Sequence, residues 1–148
     1  MIDMGFLLYL TPIGYSIIQD MIAANIQVRE NVGYCRNSDL FGYADHPNKF
    51  VICTNNIRNQ GYNPYVYVNE TIYHEATHVA QMCKGNQKVT RLIGIPKKQM
   101  PLPWNKLQDI KKSMLATKNK ATADIEHEAY YLEDKPEKVQ YYVRKYCF

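Results

Sequence analysis

The sequence predicts an α+β fold, mainly helical, in which a small, few-stranded sheet packs on one helix. Three observations carry this. Five segments repeat apolar residues at helical spacing, and only a few short runs have the β-branched, turn-bounded look of strands. The 148 residues also suffice for one hydrophobic core and not for two. The chain is therefore read as a single domain over 1–148. Its 46% hydrophobic and 22% charged residues suit a soluble globular domain rather than a disordered segment.

Taken in order, Thr11-Pro12 is a helix start, with threonine as N-cap and proline at the first helical position. Ile17, Ile18, Met21, Ile22 and Ile26 then give a first helix over about 12–25. Residues 28–48 are polar with scattered glycine and read as loop, with a short strand around Gly33–Arg36. "KFVICT", Lys49–Thr54, is the best strand. "YVYV", Tyr65–Val68, is a second short strand or the lead into the next helix, and propensity leans to strand. Asn69 then caps a helix over Glu70–Lys84, with a core stripe at Ile72, Ala76, Val79 and Cys83 and Gly85 at its end. Lys88–Ile95 is a candidate further strand, and "PKKQMPLP" is a proline-bounded loop. Trp104, Leu107, Ile110 and Met114 mark a third helix, Ala121–Glu133 a fourth and Pro136–Tyr146 a fifth.

The apolar start, "MIDMGFLLYLTPIGYSII", has no basic leader and carries Asp3, so it is not read as a signal peptide. Thr11, Pro12 and Gly14 interrupt it, so no membrane span is expected. Without a signal the default compartment is the cytoplasm, and the default state of Cys35, Cys53, Cys83 and Cys147 is the free buried thiol. Export would make two disulfides natural, and four cysteines allow three pairings.

The formal charge of +4 is concentrated in Lys97, Lys98, Lys106, Lys111, Lys112, Lys118 and Lys120, among which Asp109 is the one acid. With no nucleic-acid-binding motif beside it, this segment reads as a solvated lysine face, and nucleic acid is not the expected partner. A protein seated on DNA through these lysines is the least favoured reading, and steeply salt-dependent binding would be its mark. The 13 tyrosines read mainly as core-rim residues.

"YHEATHVAQMC" holds the chemistry. Helical residues four apart share a face, so His74 and His78 offer two imidazoles to one point, as a zinc ion requires. Glu75 projects about 100° away from His74, beside a metal rather than on it, where a carboxylate can take a proton from water. The apolar stripe lies roughly opposite. The bland reading is two histidines on a surface helix.

A catalytic zinc usually has a third protein ligand. His46 lies in a proline-flanked loop, and "TADIEHEAYYLE" offers Glu126, His127 and Glu128. Two helical faces compete there. Thr122, Glu126, Ala129, Tyr130 and Glu133 form one; Ala121, Ile125, Glu128, Ala129 and Leu132 form the more apolar other. The residues alone leave Glu126 and Glu128 about even, with His127 third.

"HEATH" with a downstream "ExEA" resembles the gluzincins, zinc peptidases with two histidines and a glutamate as ligands. "VICTNN" followed by "ETIYHEATHVAQMCK" more narrowly resembles the mitochondrial inner-membrane peptidase family that matures an ATP synthase subunit. The likeness covers Val51–Lys84, and Ala123–Cys147 more loosely. It implies a minimal zincin-like domain with Zn2+ at His74 and His78 and Glu75 as catalytic base. An E-x-x-A pattern carried over from such families makes Glu126 the third ligand, with Glu128 as its rival. The family's cysteine-rich tail is reduced here to Cys147, which leaves its disulfide pattern open.

The expected activity is zinc-dependent hydrolysis of a peptide or protein substrate by a metalloendopeptidase, with a tyrosine or His127 as oxyanion donor. Lys49–Thr54 is the candidate edge strand for binding substrate backbone. The alternative is a catalytically silent zincin-fold structural or adaptor protein within a larger assembly. Its metal would be absent or closed off by a fourth ligand such as His127, and the tyrosine-rich last helix would be the interface.

Overall fold

The computed structural model describes residues 5–148; Met1–Met4, Asp3 of the apolar start among them, lie outside the described residues. The described chain is mainly helical, with a three-stranded mixed sheet, and is an α+β fold. Strands β1 (Gln27–Glu30), β2 (Gly42–Asp45) and β3 (Lys49–Ile52) stand in the order β1-β3-β2. β1 runs parallel and β2 antiparallel to β3, with Val28 opposite Phe50 and Tyr43 opposite Val51. Helices α1 (Pro12–Ala23), α2 (Thr54–Asn59), α3 (Pro64–Lys84), α4 (Trp104–Thr117), α5 (Lys120–Leu132) and α6 (Pro136–Cys147) complete the elements that matter here.

The start of α1 follows its sequence signal. Thr11 Oγ1 accepts from Gly14 N at 3.1 Å, and Pro12 opens the helix. Ile17, Ile18 and Met21 enter the core with Phe6, Phe50, Ile52, Ile72, Val79 and Val139. α3 is the axis of the domain. It touches the sheet through β2 and β3, and α1, α5 and α6 pack against it.

At Tyr65–Val68 α3 takes the helical lead-in over the strand that propensity favours, and it moves the expected cap: the cap is Asn63, not Asn69. Asn63 Oδ1 accepts from Tyr65 N at 2.9 Å, and Pro64 takes the first helical position, the same signal that opens α1. Burial overrides propensity here. Val68 is fully buried, and Tyr67 meets the rings of Phe41 and Tyr62 edge to face. Asn69 lies inside the helix and ties it to the segment before α1. Its Nδ2 donates to Tyr9 O, and its Oδ1 accepts from Thr11 N at 3.0 Å. A Cβ on Gly14 would come within 2.8 Å of that Oδ1, so glycine lets α1 approach this closely.

The strand expected around Gly33–Arg36 is a 3-10 turn over Gly33–Asn37, and the real strands of this region, β1 and β2, flank it. Lys49–Thr54 is strand only as far as Ile52, because Thr54 already begins α2. Lys88–Ile95 forms no strand. Side chains satisfy its backbone instead: Lys84 Nζ donates to Leu92 O and Ile93 O, and Glu128 accepts from Ile93 N and Gly94 N.

The free-thiol default is also corrected. Cys35 pairs with Cys53, and Cys83 with Cys147. The first pair fastens the 3-10 turn to the end of β3. The second joins the C-terminal ends of α3 and α6, two helices already packed along each other. Among the described residues, no helix is long and apolar enough to cross a membrane.

Candidate metal centre

α3 turns Ile72, Ala76 and Val79 into the core and leaves His74 and His78 one turn apart on the opposite side. Both histidines meet Glu126, which α5 supplies. His74 Nε2 stands 3.2 Å from Glu126 Oε2, and His78 Nε2 stands 2.8 Å from Oε1. One ligand atom from each of the three lies within 4.8 Å of the others. Neighbouring ligands on a tetrahedral zinc with ~2.0–2.1 Å bonds are about 3.3 Å apart. The three donors fit that ion with small adjustments.

The tautomer of His78 follows from its neighbours. Gln81 Nε2 is occupied as a donor, to Glu128 Oε1 at 2.8 Å and Ile125 O at 3.1 Å. Gln81 can therefore only accept through Oε1, so His78 Nδ1 donates to it, at 2.7 Å. Nε2 faces Glu126 Oε1 at 2.8 Å, so it donates to that carboxylate while the ring is protonated and carries the lone pair once the ring is neutral. His74 is set less tightly: its Nδ1 stands 3.5 Å from Glu133 Oε1 without a hydrogen bond, and the Tyr130 ring lies edge-on at 4.7 Å.

Charge accumulates at the cluster. Burial alone would lower the His74 imidazolium, but Glu126, Glu133 and Glu75 outweigh it and raise the group to about 10. His78 is raised against the same penalty, chiefly by Glu126. Burial also opposes ionisation of Glu126, yet the two histidines hold its carboxyl well below the usual carboxylate range. Burial pushes Glu75 up. Burial and the neighbouring Glu133 carboxyl carry Glu70 to about 7.

The cluster opens into a groove of about 590 Å³. β2 and the residues just before it form one wall, and α3, α4 and α5 contribute the rest; Glu75 and Tyr130 line it. β2 crosses α3 closely at Gly42, where a Cβ would come within 2.7 Å of Thr71 Cγ2 and 3.4 Å of Glu75 Cγ. The strand expected to offer a free edge, Lys49–Thr54, is the central one, paired on both sides; the edge beside the groove is β2.

The remaining sequence candidates lie elsewhere. Glu128 is 2% exposed and accepts from Gln81, Ile93 N and Gly94 N, so it bears on His78 only through Gln81. His127 donates from Nε2 to Met100 O at 2.8 Å and does not line the groove, so it is placed neither as a fourth ligand nor as an oxyanion donor. His46 bonds Thr90. Of the lysine segment, Lys97 pairs with Asp124, and Lys106 reaches Tyr130 O and Glu133. Sequence reasoning missed Gln81 and Glu133. Both carried a signal: Gln81 is one turn beyond His78, and Glu133 shares the helical face of Glu126.

The chain matches the family described as a domain of unknown function, DUF8637, over residues 6–148, and it belongs to that family. No curated protein and no solved structure matches it.

Proposed function

We propose that this DUF8637 protein is a zinc-dependent metallopeptidase of the gluzincin type. The observation that carries the reading is the convergence of His74 Nε2 and His78 Nε2 on Glu126, with Glu75 beside them in the wall of an open groove. Two imidazoles and one carboxylate form a donor set suited to zinc with a coordination position left for water or substrate. Zinc held there supplies a Lewis acid and brings the pKa of water to about 7.

The chain's own residues do the rest. Glu75, destabilised as a carboxylate by burial, takes a proton from the attacking water and returns it to the leaving amine as the C–N bond breaks. Tyr130, beside His74, is the groove tyrosine best sited to donate to the oxyanion. β2 supplies the strand edge along which substrate backbone adds. The two disulfides favour an oxidising compartment for this activity.

The test combines elemental analysis of the purified protein with turnover of quenched fluorescent peptides. Near-stoichiometric zinc, retained in Glu75→Gln while hydrolysis is lost, is the expected result. Unchanged turnover in that variant would overturn the mechanism. Failure to take up zinc after reconstitution would leave the histidines as an apo cluster and favour the silent structural role.

A further inference from the structure

The groove beside the metal triad has a charge opposite to that of the chain. The sequence carries 18 basic residues against 14 acidic ones. Yet six carboxylates line this one groove, from Asp39, Glu70, Glu75, Asp109, Glu126 and Glu133, and no lysine or arginine lines it. Glu126 belongs to the triad and Glu75 to the proposed chemistry. Of the other four, Glu70 and Glu133 lean on each other through a side-chain hydrogen bond, and Asp39 and Asp109 are left without a role there.

Their arrangement is informative. Asp39 enters from the segment before β2 and Asp109 from α4, so the two come from different walls. Both are exposed, and neither carboxylate has an ion pair among the described residues. Glu133, only 5% exposed, lines the same groove, and its buried Oε1 accepts no hydrogen bond among the described residues. Its nearest cations are His74 Nδ1 at 3.5 Å and Lys106 Nζ at 3.8 Å. Tyr43, Tyr67 and Tyr130 add π faces to the same lining. Carboxylates interleaved with aromatic rings in a concave site attract ammonium and guanidinium groups and repel acidic ones.

Resting on the peptidase reading, we propose that the groove selects peptides carrying a cationic group near the scissile bond, received between Asp39 and Asp109 with Glu133 behind them. The cation is a lysine or arginine side chain or a free α-amine, and the experiment separates these sources.

Full-length Glu75→Gln protein, loaded with zinc, is titrated against labelled peptides of one length by fluorescence anisotropy. One set is N-acetylated and C-amidated and carries lysine or arginine. A matched set replaces these by norleucine or citrulline, a third carries glutamate, and a fourth is neutral with a free N-terminus. The cationic peptides are expected to bind about fivefold or more tighter than their neutral isosteres at ~50 mM salt, with the ratio shrinking at ~0.5 M. Asp39→Asn and Asp109→Asn are each expected to reduce the ratio about twofold, and Asp124→Asn, whose carboxylate pairs with Lys97 and does not line the groove, to leave it alone. Preference confined to the free N-terminus identifies the α-amine as the cation. Equal binding of all sets, tighter binding of the glutamate set, or no binding by any set overturns the proposal. Cationic preference in a wild-type protein that cuts none of these peptides overturns the peptidase reading alone. Hydrolysis of cationic and neutral sets at equal kcat/KM overturns the preference alone.

Discussion

Gln81 and Glu128 lie on different helices and share a 2.8 Å hydrogen bond from Nε2 to Oε1, with both side chains almost wholly sealed from solvent. The pair links the histidine-bearing side of α3 to the extended segment after it. Glu128 holds Ile93 N and Gly94 N, Gln81 holds Glu128, and His78 donates to Gln81. Substituting Gln81 by leucine leaves His78 Nδ1 without its acceptor. Zinc affinity should fall about 10- to 100-fold, as measured by chelator competition. Glu128→Ala should also act on the fold, because it strands the buried amide of Ile93 at about 1–3 kcal/mol and frees the part-buried amide of Gly94. Stoichiometric zinc in Glu126→Ala together with its loss in Glu128→Ala would reverse the ligand assignment.

The two glutamates show how far the sequence could be read. One turn of helix places both near α3, and hydrophobic patterning favoured Glu128 for the interior because Ile125, Ala129 and Leu132 share its face. That inference about burial agrees with the structure: Glu128 is the more buried of the two. Burial and proximity to the histidines are different questions, however, and the second depends on the crossing of α3 and α5, which no local pattern encodes. The helix carrying His74 and His78 was legible from spacing alone. Its first six residues were not, because Tyr65–Val68 has strand propensity that only packing on Phe41 and Tyr62 overrides. β1 and β2 were missed for a similar reason. Each has four residues, and their pairing with β3 spans a polar region with little alternation.

Proton linkage gives the second prediction. In metal-free protein the folded His74 and His78 values lie above the unfolded ~6.5. Their contribution to stability is thus full below about pH 6.5 and is lost as pH rises, for His74 through about 10. Glu70 and Glu75, also raised, act in the same direction from about pH 4.3 upward, Glu70 through about 7. The depressed Glu126 acts oppositely: its contribution is present above about pH 4.3 and is lost as acid drives pH down through its folded value. Chelated protein should therefore lose thermal stability between pH 6.5 and 9. Zinc binding must expel the histidine protons, so zinc affinity rises over the same interval. The gap in Tm between zinc-loaded and chelated protein should widen from pH 6 to pH 8. A constant gap would show that these histidines do not exchange protons for metal.

Gly42 offers a separate test of the groove. Its backbone is not in the left-handed region, so the constraint is space alone. A valine there meets Thr71 Cγ2, Val51 O and Glu75 Cγ, which pushes β2 away from α3 at an overpacking cost of about 1–3 kcal/mol. The proposed ligands come from α3 and α5, so zinc content should stay near that of wild type while kcat/KM falls about tenfold or more. Wild-type turnover in Gly42→Val would remove β2 from the substrate site.

The disulfide between Cys83 and Cys147 gives the last prediction. It spans 64 residues and fastens the last turn of α6 to the end of the helix that bears both histidines. The loop-entropy relation assigns about 4 kcal/mol to a closure of this length and about 3 kcal/mol to the 18-residue separation of Cys35 and Cys53. Val139 and Val143, both fully buried, keep α6 on the core when the bond is absent, so the fold should survive Cys147→Ser with a lower Tm. For a chain of this size, about 4 kcal/mol corresponds to a fall of about 8–16 °C. His78 lies more than one turn before Cys83, so zinc affinity at 25 °C should change little. A Tm within about 2 °C of wild type would mean that α6 is held by packing alone, and a large loss of zinc would mean that the tether shapes the metal centre as well as the core.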